Sequence, residues 1–204
     1  MTYIINTVMT NIDLLIGYGA VIRKYKKGSM VIKEGGKARF FHQVYAGEIK
    51  MYNTAGDGQE FTQGIFKSGE SFGEPPLFLD TVYPASASAL MDSEVLVLEK
   101  MKFLRLLQDH PAIHLQLTQT LSKRLYFKSL MAREITLHGA AHRLLALIDF
   151  IKEREGIAGD VFAVKLTRQQ LANLTGLRVE TVIRTIGHLV KSKQLQQKGR
   201  KIFR

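Results

Sequence analysis

Thr167-Arg-Gln-Gln-Leu-Ala-Asn-Leu-Thr-Gly-Leu-Arg-Val-Glu-Thr-Val-Ile-Arg184 is the stretch that decides how this chain folds. Thr167 followed by Gln170 is a capping-box pattern, in which each residue satisfies a free N–H at the other, so a helix starts there. Ala172 is small where a second helix would cross the first. Gly176 supplies the turn conformation that a side chain resists. The second helix then places Val179, Val182, Ile183, Ile186, Leu189 and Val190 on its inner side, with Arg178, Glu180, Thr181 and Arg184 outside. This is the organisation of a helix-turn-helix. Beyond it, Leu195 to Phe203 reads as a hairpin with a basic tip at Lys198-Gly-Arg200, the wing of a winged helix.

A plain helical hairpin with a solvated basic face would share part of this pattern, so charge has to separate the two. The chain carries 29 Lys and Arg against 18 Asp and Glu. From Val161 to Arg204 there are ten basic residues (Lys165, Arg168, Arg178, Arg184, Lys191, Lys193, Lys198, Arg200, Lys201 and Arg204) and one acid, Glu180. Nearly all of the net +11 therefore sits at the C-terminal end. Such a segment binds a polyanion, because each cation placed beside a phosphate releases condensed counterions. Glu180 would be repelled by phosphate and needs a specific reason to be there. A carboxylate accepts a hydrogen bond from cytosine N4, and Arg184, one turn on, can fork onto guanine O6 and N7. Together they would read bases while the other cations position the backbone. A sequence-indifferent architectural DNA binder is the alternative, and it leaves Glu180 unexplained.

Upstream, from Tyr18 to about Leu98, short alternating apolar runs are broken by glycine. Met30–Lys33, Gln43–Ala46, Glu48–Tyr52, Glu60–Phe66 and Glu94–Leu98 are the runs, and Thr54-Ala-Gly-Asp-Gly58 reads as a hairpin turn. Short strands at this spacing indicate an all-β sandwich or barrel. After Glu99 the texture becomes helical. Lys100–Gln108 forms a short helix, and Pro111 suits the first turn of a longer one. Apolar residues then recur at 113, 117, 121 and 125, and a four–three spacing runs through 113, 117, 120, 124, 127 and 131. Two adjacent stripes let one helix face its own domain and a second helix at once, which points to a dimer seam from Ile113 to Met131. A further helix from about Gly139 to Arg154 buries Leu144, Leu145, Leu147, Ile148 and Ile151, and Val161–Leu166 reads as a strand.

At 204 residues and 46% hydrophobic composition, one or two ordinary packed domains are expected. The absence of cysteine excludes disulfides, thiol catalysis and Cys-ligated metals. No apolar run reaches the ~18 residues of a membrane span, and Met1–Gly19 lacks a basic leader region, so the expectation is a soluble, cytoplasmic protein.

On Val44-Tyr-Ala-Gly47 through Phe61, on Gly69-Glu-Ser-Phe-Gly-Glu74 through Ala89, and on the helix-turn-helix, the chain resembles the CRP/FNR family of bacterial transcription regulators. The resemblance covers nearly its whole length. It implies an α+β fold, with a cyclic-nucleotide-binding-type β-roll (jelly roll) over residues 1–110 as effector sensor. A dimerisation helix over 111–134 and a winged helix-turn-helix over 135–204 would follow. Glu180 and Arg184 match the family's base-reading residues, with Thr181 between them. Val179 stands where cyclic-AMP-responsive members carry a further arginine. The string Val-Glu-Thr-x-x-Arg is instead like the FNR branch, implying a TTGA-like half-site. Phosphate contacts are implied for Thr167, Arg168, Gln169 and Lys198, with Arg200 beside them on the wing. Arg178 departs from the Ser or Thr usual at that N-cap, losing a cap worth roughly 1 kcal/mol. The partners implied are double-stranded DNA, a second copy of the chain and, for an activator, RNA polymerase.

The sensor half departs further. Gly73 and Glu74 match the pair that binds ribose in cyclic-nucleotide binders, but Pro84 stands where the phosphate-neutralising arginine would be. Proline offers neither charge nor N–H, so cyclic AMP is not expected to bind. The candidate effector residues are Gly73, Glu74, Pro84, Ala85, Lys128 and Ser129, with the effector an unknown small molecule and no cofactor assigned. An FNR-type iron–sulfur centre is excluded by the lack of cysteine, and haem ligation by His42 has no positive signal. Metal-dependent cupin enzymes share the roll but need two or three converging histidines, and residues 1–109 hold only His42. No catalytic residues are expected. His138 and His142, spaced i, i+4, could share a helix face, but no third metal ligand is evident from the sequence.

Overall fold

The computed structural model describes residues 12–56, 58, 60–154, 161–199 and 201–204. The elements run α1 (Ile12–Gly17), β1 (Val21–Tyr25), β2 (Met30–Ile32), β3 (Phe40–Ala46), β4 (Glu48–Thr54), β5 (Glu60–Lys67), β6 (Ser71–Phe72), α2 (Pro75–Phe78), β7 (Ser86–Ala89) and β8 (Ser93–Glu99). They continue through α3 (Lys100–Asp109), α4 (Pro111–Leu137), α5 (Ala140–Arg154), β9 (Ala163–Val164), α6 (Arg168–Thr175), α7 (Val179–Lys191), β10 (Gln196–Lys198) and β11 (Lys201–Phe203). The chain divides into two compact units, residues 1–124 and 125–204, so the long helix α4 is shared between them.

The first unit is a roll of two four-stranded antiparallel sheets, ordered β1-β8-β3-β6 and β2-β7-β4-β5. Between the sheets, Val44, Ile49, Phe72, Ala87 and Val95 are almost wholly buried, and Phe41 and Leu98, paired on the opposite face of β3 and β8, are buried on the side of α3. Each Phe, Val, Ile or Leu side chain removed from water contributes about 1.5–3 kcal/mol. Phe41 stacks on Phe103 of α3 at 4.0 Å between ring centroids, which fixes that helix against the sheet. Gly47 makes the β3–β4 turn at φ 91°, and a Cβ there would fall onto the Ser93 hydroxyl. The β4–β5 hairpin pairs Thr54 with Glu60, with Gly58 at φ 82° in its turn. Asp57, part of that turn motif, lies outside the described residues.

The first half of α4 corrects the expected seam. Leu117 and Thr120 are buried, and Ile113 and Leu121 pack against the core of the roll. That stripe serves the chain's own domain. Among its described side chains, the large apolar residues that α4 leaves exposed are Leu115, Leu125 and Tyr126. The helix also continues to Leu137, beyond the expected end at 134.

In the second unit α5 buries Leu144, Leu147, Ile148 and Ile151, with Leu145 half-buried, and Phe150 stacks on Phe127 of α4 at 4.2 Å. The strand expected over Val161–Leu166 is shorter, since pairing with β11 involves only Ala163 and Val164. The small sheet is ordered β10-β11-β9, and β9 closes on the end of the chain through Phe162 and Arg204, whose backbones exchange hydrogen bonds of 2.6 and 2.9 Å.

Candidate nucleic-acid interface

α6 begins at a complete capping box. Thr167 Oγ1 accepts from the Gln170 N–H at 3.1 Å, and Gln170 Oε1 accepts from the Thr167 N–H at 2.9 Å. At the other end Gly176 takes the left-handed conformation (φ 67°), and its N–H bonds the Ala172 carbonyl. A side chain would strain that backbone, so the turn between α6 and α7 is set by glycine. Ala172, 1% exposed, and Leu171 and Leu174 pack beneath.

α7 buries Val182, Ile186 and Leu189, with Val179 and Val190 half-buried. Glu180, Arg184 and His188 are exposed, and Thr181 is half-buried. Ile183, expected on the inner side, is 55% exposed. The outward face therefore carries an acid, a branched sec-butyl group and a guanidinium within one turn. Arg178 is the N-cap and caps no backbone group with its side chain. Glu180 in the first turn and His188 and Lys191 in the last are also favourable to the helix dipole.

Thr167 and Gln169 are exposed and Arg168 half-buried at the start of α6. Opposite them stands the β10–β11 hairpin, with Gly199 at φ 58° and exposed Lys198 and Lys201. Arg200 lies outside the described residues. A groove of about 660 Å³ runs between hairpin and helix, with Lys165, Arg168 and Lys201 among its lining residues. Arg204 is committed elsewhere: it is paired with Asp149 and donates to the Gln194 carbonyl at 2.9 Å.

In the first unit, Glu74 is 1% exposed. Arg124 Nη1 donates to both its oxygens, at 2.9 and 3.2 Å, while Nη2 donates to the Ser71 carbonyl at 2.8 Å. The Ser71 hydroxyl donates to the same carboxylate, and the guanidinium lies 5.1 Å from the Phe66 ring centroid. Gly73, at φ 73°, lets Ile32 and Tyr83 close over the backbone, with atoms 3.1 and 3.3 Å from where a Cβ would be. Pro84 is exposed and Ala85 buried, and the Pro84 carbonyl accepts from Asn53 at 2.7 Å. Arg124 is thus a basic residue beside Glu74 that comes from 50 positions further along the chain. In the second unit, Lys128 and Ser129 are on the exposed side of α4, and the Ser129 hydroxyl bonds the Leu125 carbonyl of its own helix. His42 is buried in the roll, stacked on Phe72 at 5.3 Å.

Two family models cover most of the chain: a cyclic nucleotide-binding domain over residues 22–110 and a Crp-like helix-turn-helix domain over residues 140–204. The chain belongs to the CRP/FNR family. It is a DNA-binding transcription regulator of that type. The cyclic AMP receptor protein of Thermus thermophilus is 29% identical over 181 residues, covering 88% of this chain and 81% of that protein. The anaerobic regulatory protein of Bacillus subtilis is 28% identical over 173 residues, covering 83% and 73%. Among solved structures, the c-di-GMP responsive global regulator CLP of Xanthomonas campestris superposes with a TM-score of 0.75. It covers 94% of this chain and 96% of its own, and at 22% identity it speaks to the fold alone. The catabolite activator protein of Thermus thermophilus is 28% identical with a TM-score of 0.54, covering 94% and 87%. No described helix is long and apolar enough to cross a membrane.

Proposed function

We propose that this CRP/FNR-type regulator binds, as a homodimer, an inverted repeat of TTGA-like half-sites. The observation that carries the reading is the outward face of α7, where Glu180, Ile183 and Arg184 stand together while Val182, Ile186 and Leu189 anchor the other side. Arg184 suits guanine, Glu180 suits cytosine, and the exposed Ile183 suits a thymine methyl. Thr167, Arg168, Gln169, Arg178 and Lys198 hold the phosphates, with Val179 and Thr181 flanking the reading residues and Arg200 as the further wing cation. The exposed Leu115, Leu125 and Tyr126 of α4 meet a second copy. An isologous dimer places its two reading helices about one DNA turn apart. As an activator it would also contact RNA polymerase.

The roll senses a small molecule other than cyclic AMP. Gly73, Glu74, Pro84 and Ala85 form its candidate cradle, with Lys128 and Ser129 of α4 as further candidates. Pro84 supplies no charge for a cyclic phosphate, and Arg124 is already spent on Glu74. The relatives are themselves named for different signals, cyclic AMP in one and anaerobic regulation in another.

Two measurements test this. Binding curves on a TTGA inverted repeat and a scrambled duplex should differ, with sedimentation giving a dimer; a monomer with undiminished DNA affinity overturns the assembly. Calorimetry with cyclic AMP should show no saturable heat below about millimolar. A micromolar dissociation constant overturns the sensor reading.

A further inference from the structure

Glu134 sits in the last turns of α4 and is 3% exposed, although it is a carboxylate. α4 ends at Leu137, Gly139 makes the break, and α5 starts at Ala140. His138 in the connector and His142 in the first turn of α5 therefore do not share the helix face that their spacing alone allows. They converge across the break instead. Their rings lie 4.0 Å apart between centroids, inclined at 34°. Glu134 Oε2 is 2.9 Å from His142 Nε2 and 3.9 Å from His138 Nε2.

The two carboxylate oxygens are treated differently. Arg133 holds Oε1, with Nε at 3.1 Å and Nη2 at 2.8 Å. Oε2 is buried and accepts no hydrogen bond among the described residues, despite the nearby imidazole. A buried anionic oxygen without a donor is costly, and here it faces two ring nitrogens.

We propose that Glu134, His138 and His142 form a binding site for a divalent transition ion of the zinc class. One donor atom from each residue lies within 4.8 Å of the other two. Four-coordinate zinc with bonds of about 2.0–2.1 Å needs donors about 3.3 Å apart. The observed 2.9 and 3.9 Å bracket that separation. The side chains of His138 and His142 are 40% and 57% exposed, so small rotations can close the remaining gap and the fourth position is open to water. Two imidazoles and one carboxylate favour zinc, cobalt or nickel over magnesium or calcium, which prefer all-oxygen shells. Arg133 would stay on Oε1 and orient the ligating carboxylate. The donors come from the end of α4, the connector and the start of α5, so a bound ion would fix the bend at Gly139. This site is independent of the DNA reading and of the effector cradle.

The test is Co(II) titration of the untagged, metal-stripped full-length protein, followed by visible absorption and by displacement with Zn(II). The expected result is one Co(II) per chain, with the intense d–d bands of a four-coordinate ion that Zn(II) abolishes. His142→Ala, His138→Ala and Glu134→Gln should each weaken binding at least about tenfold. His114→Ala, an exposed histidine elsewhere on α4, should leave it unchanged. The two histidine variants alter exposed side chains, so they remain informative should loss of the buried carboxylate perturb folding. Weak, hydrated-type spectra, or affinity unchanged in the histidine variants, would overturn the site.

Discussion

Arg204 and Asp149 form a two-pronged ion pair, Nε to Oδ1 at 2.6 Å and Nη2 to Oδ2 at 2.8 Å, that ties the end of the chain to α5. The carboxylate holds the guanidinium above its usual range, chiefly through this hydrogen bond. A bidentate pair fixes geometry better than a point charge, but both groups are partly exposed and solvent screens them. Arg204→Ala should therefore cost about 1 kcal/mol in urea unfolding. Although it removes one of the C-terminal cations, it should leave the salt dependence of DNA binding unchanged. A shallower salt slope would place Arg204 on the DNA.

Arg124 and Glu74 call for a larger effect, because this pair is buried. Removing one partner leaves the other as an uncompensated charge, which costs about 3–5 kcal/mol, whereas removing both costs far less. Arg124→Met should lower the urea midpoint sharply, and adding Glu74→Gln should restore much of the loss. Equal destabilisation by the single and double variants would show that packing over Phe66, rather than charge, is what Arg124 supplies.

Much of the DNA-facing unit was legible because its signals are local. Thr167 and Gln170 satisfy each other within one turn, and Gly176 is required by its own backbone angle. What escaped was set by distance or by phase. Glu74 and Arg124 are 50 positions apart, so only the folded roll brings them together. Ile183 reads as inner because it is apolar. Its phase, three residues after Glu180 and four before Gly187, puts it outside, and phase prevailed. The two stripes of α4 share Ile113 and Leu117, and the second also carries Thr120 and Arg124, so sequence alone does not say which meets the chain's own core. Glu134 escapes a sequence reading because it stands at the expected end of one helix while the two histidines are weighed as a pair, and only the folded break between α4 and α5 brings the three together.

His42 gives a pH dependence. Burial, aided by the charge of Arg23, pushes its pKa down to about 4, against about 6.5 when unfolded. Between these values the unfolded chain binds the proton and the folded roll does not, so stability rises with pH across that window. The contribution is fully present above about pH 6.5 and is lost as pH falls towards 4, amounting to on the order of 3 kcal/mol. Asp80 and Asp92, held low by Lys100 and Lys26, lose theirs further down, within and below the ordinary carboxylate range. Urea unfolding between pH 7 and pH 5 should be steeper in pH for the native protein than for His42→Gln. Parallel curves would mean that the buried ring is not the titrating group.

On the DNA face, base reading and charge attraction are separable on the same helix and wing. Arg184→Ala should cost about 1–3 kcal/mol on a TTGA inverted repeat and little on scrambled DNA, since a forked guanine contact is lost. Lys198→Ala should weaken both duplexes by similar factors and reduce the salt slope by about one. Glu180→Ala should relax discrimination at one base pair and raise affinity for scrambled DNA, because a negative charge leaves the interface. Ile183→Ala should cost about 1 kcal/mol on the thymine-containing site. That loss should vanish when the thymines are replaced by uracil, which lacks the methyl group the isoleucine would touch. Filter-binding or anisotropy curves at two salt concentrations, on the matched, scrambled and uracil duplexes, measure all four variants together. Equal losses on matched and scrambled DNA for Arg184→Ala, and no sensitivity of Ile183→Ala to the methyl groups, would mean that α7 attracts DNA without reading it. The architectural reading would then account for the basic face, and Glu180 would be there for the helix dipole alone.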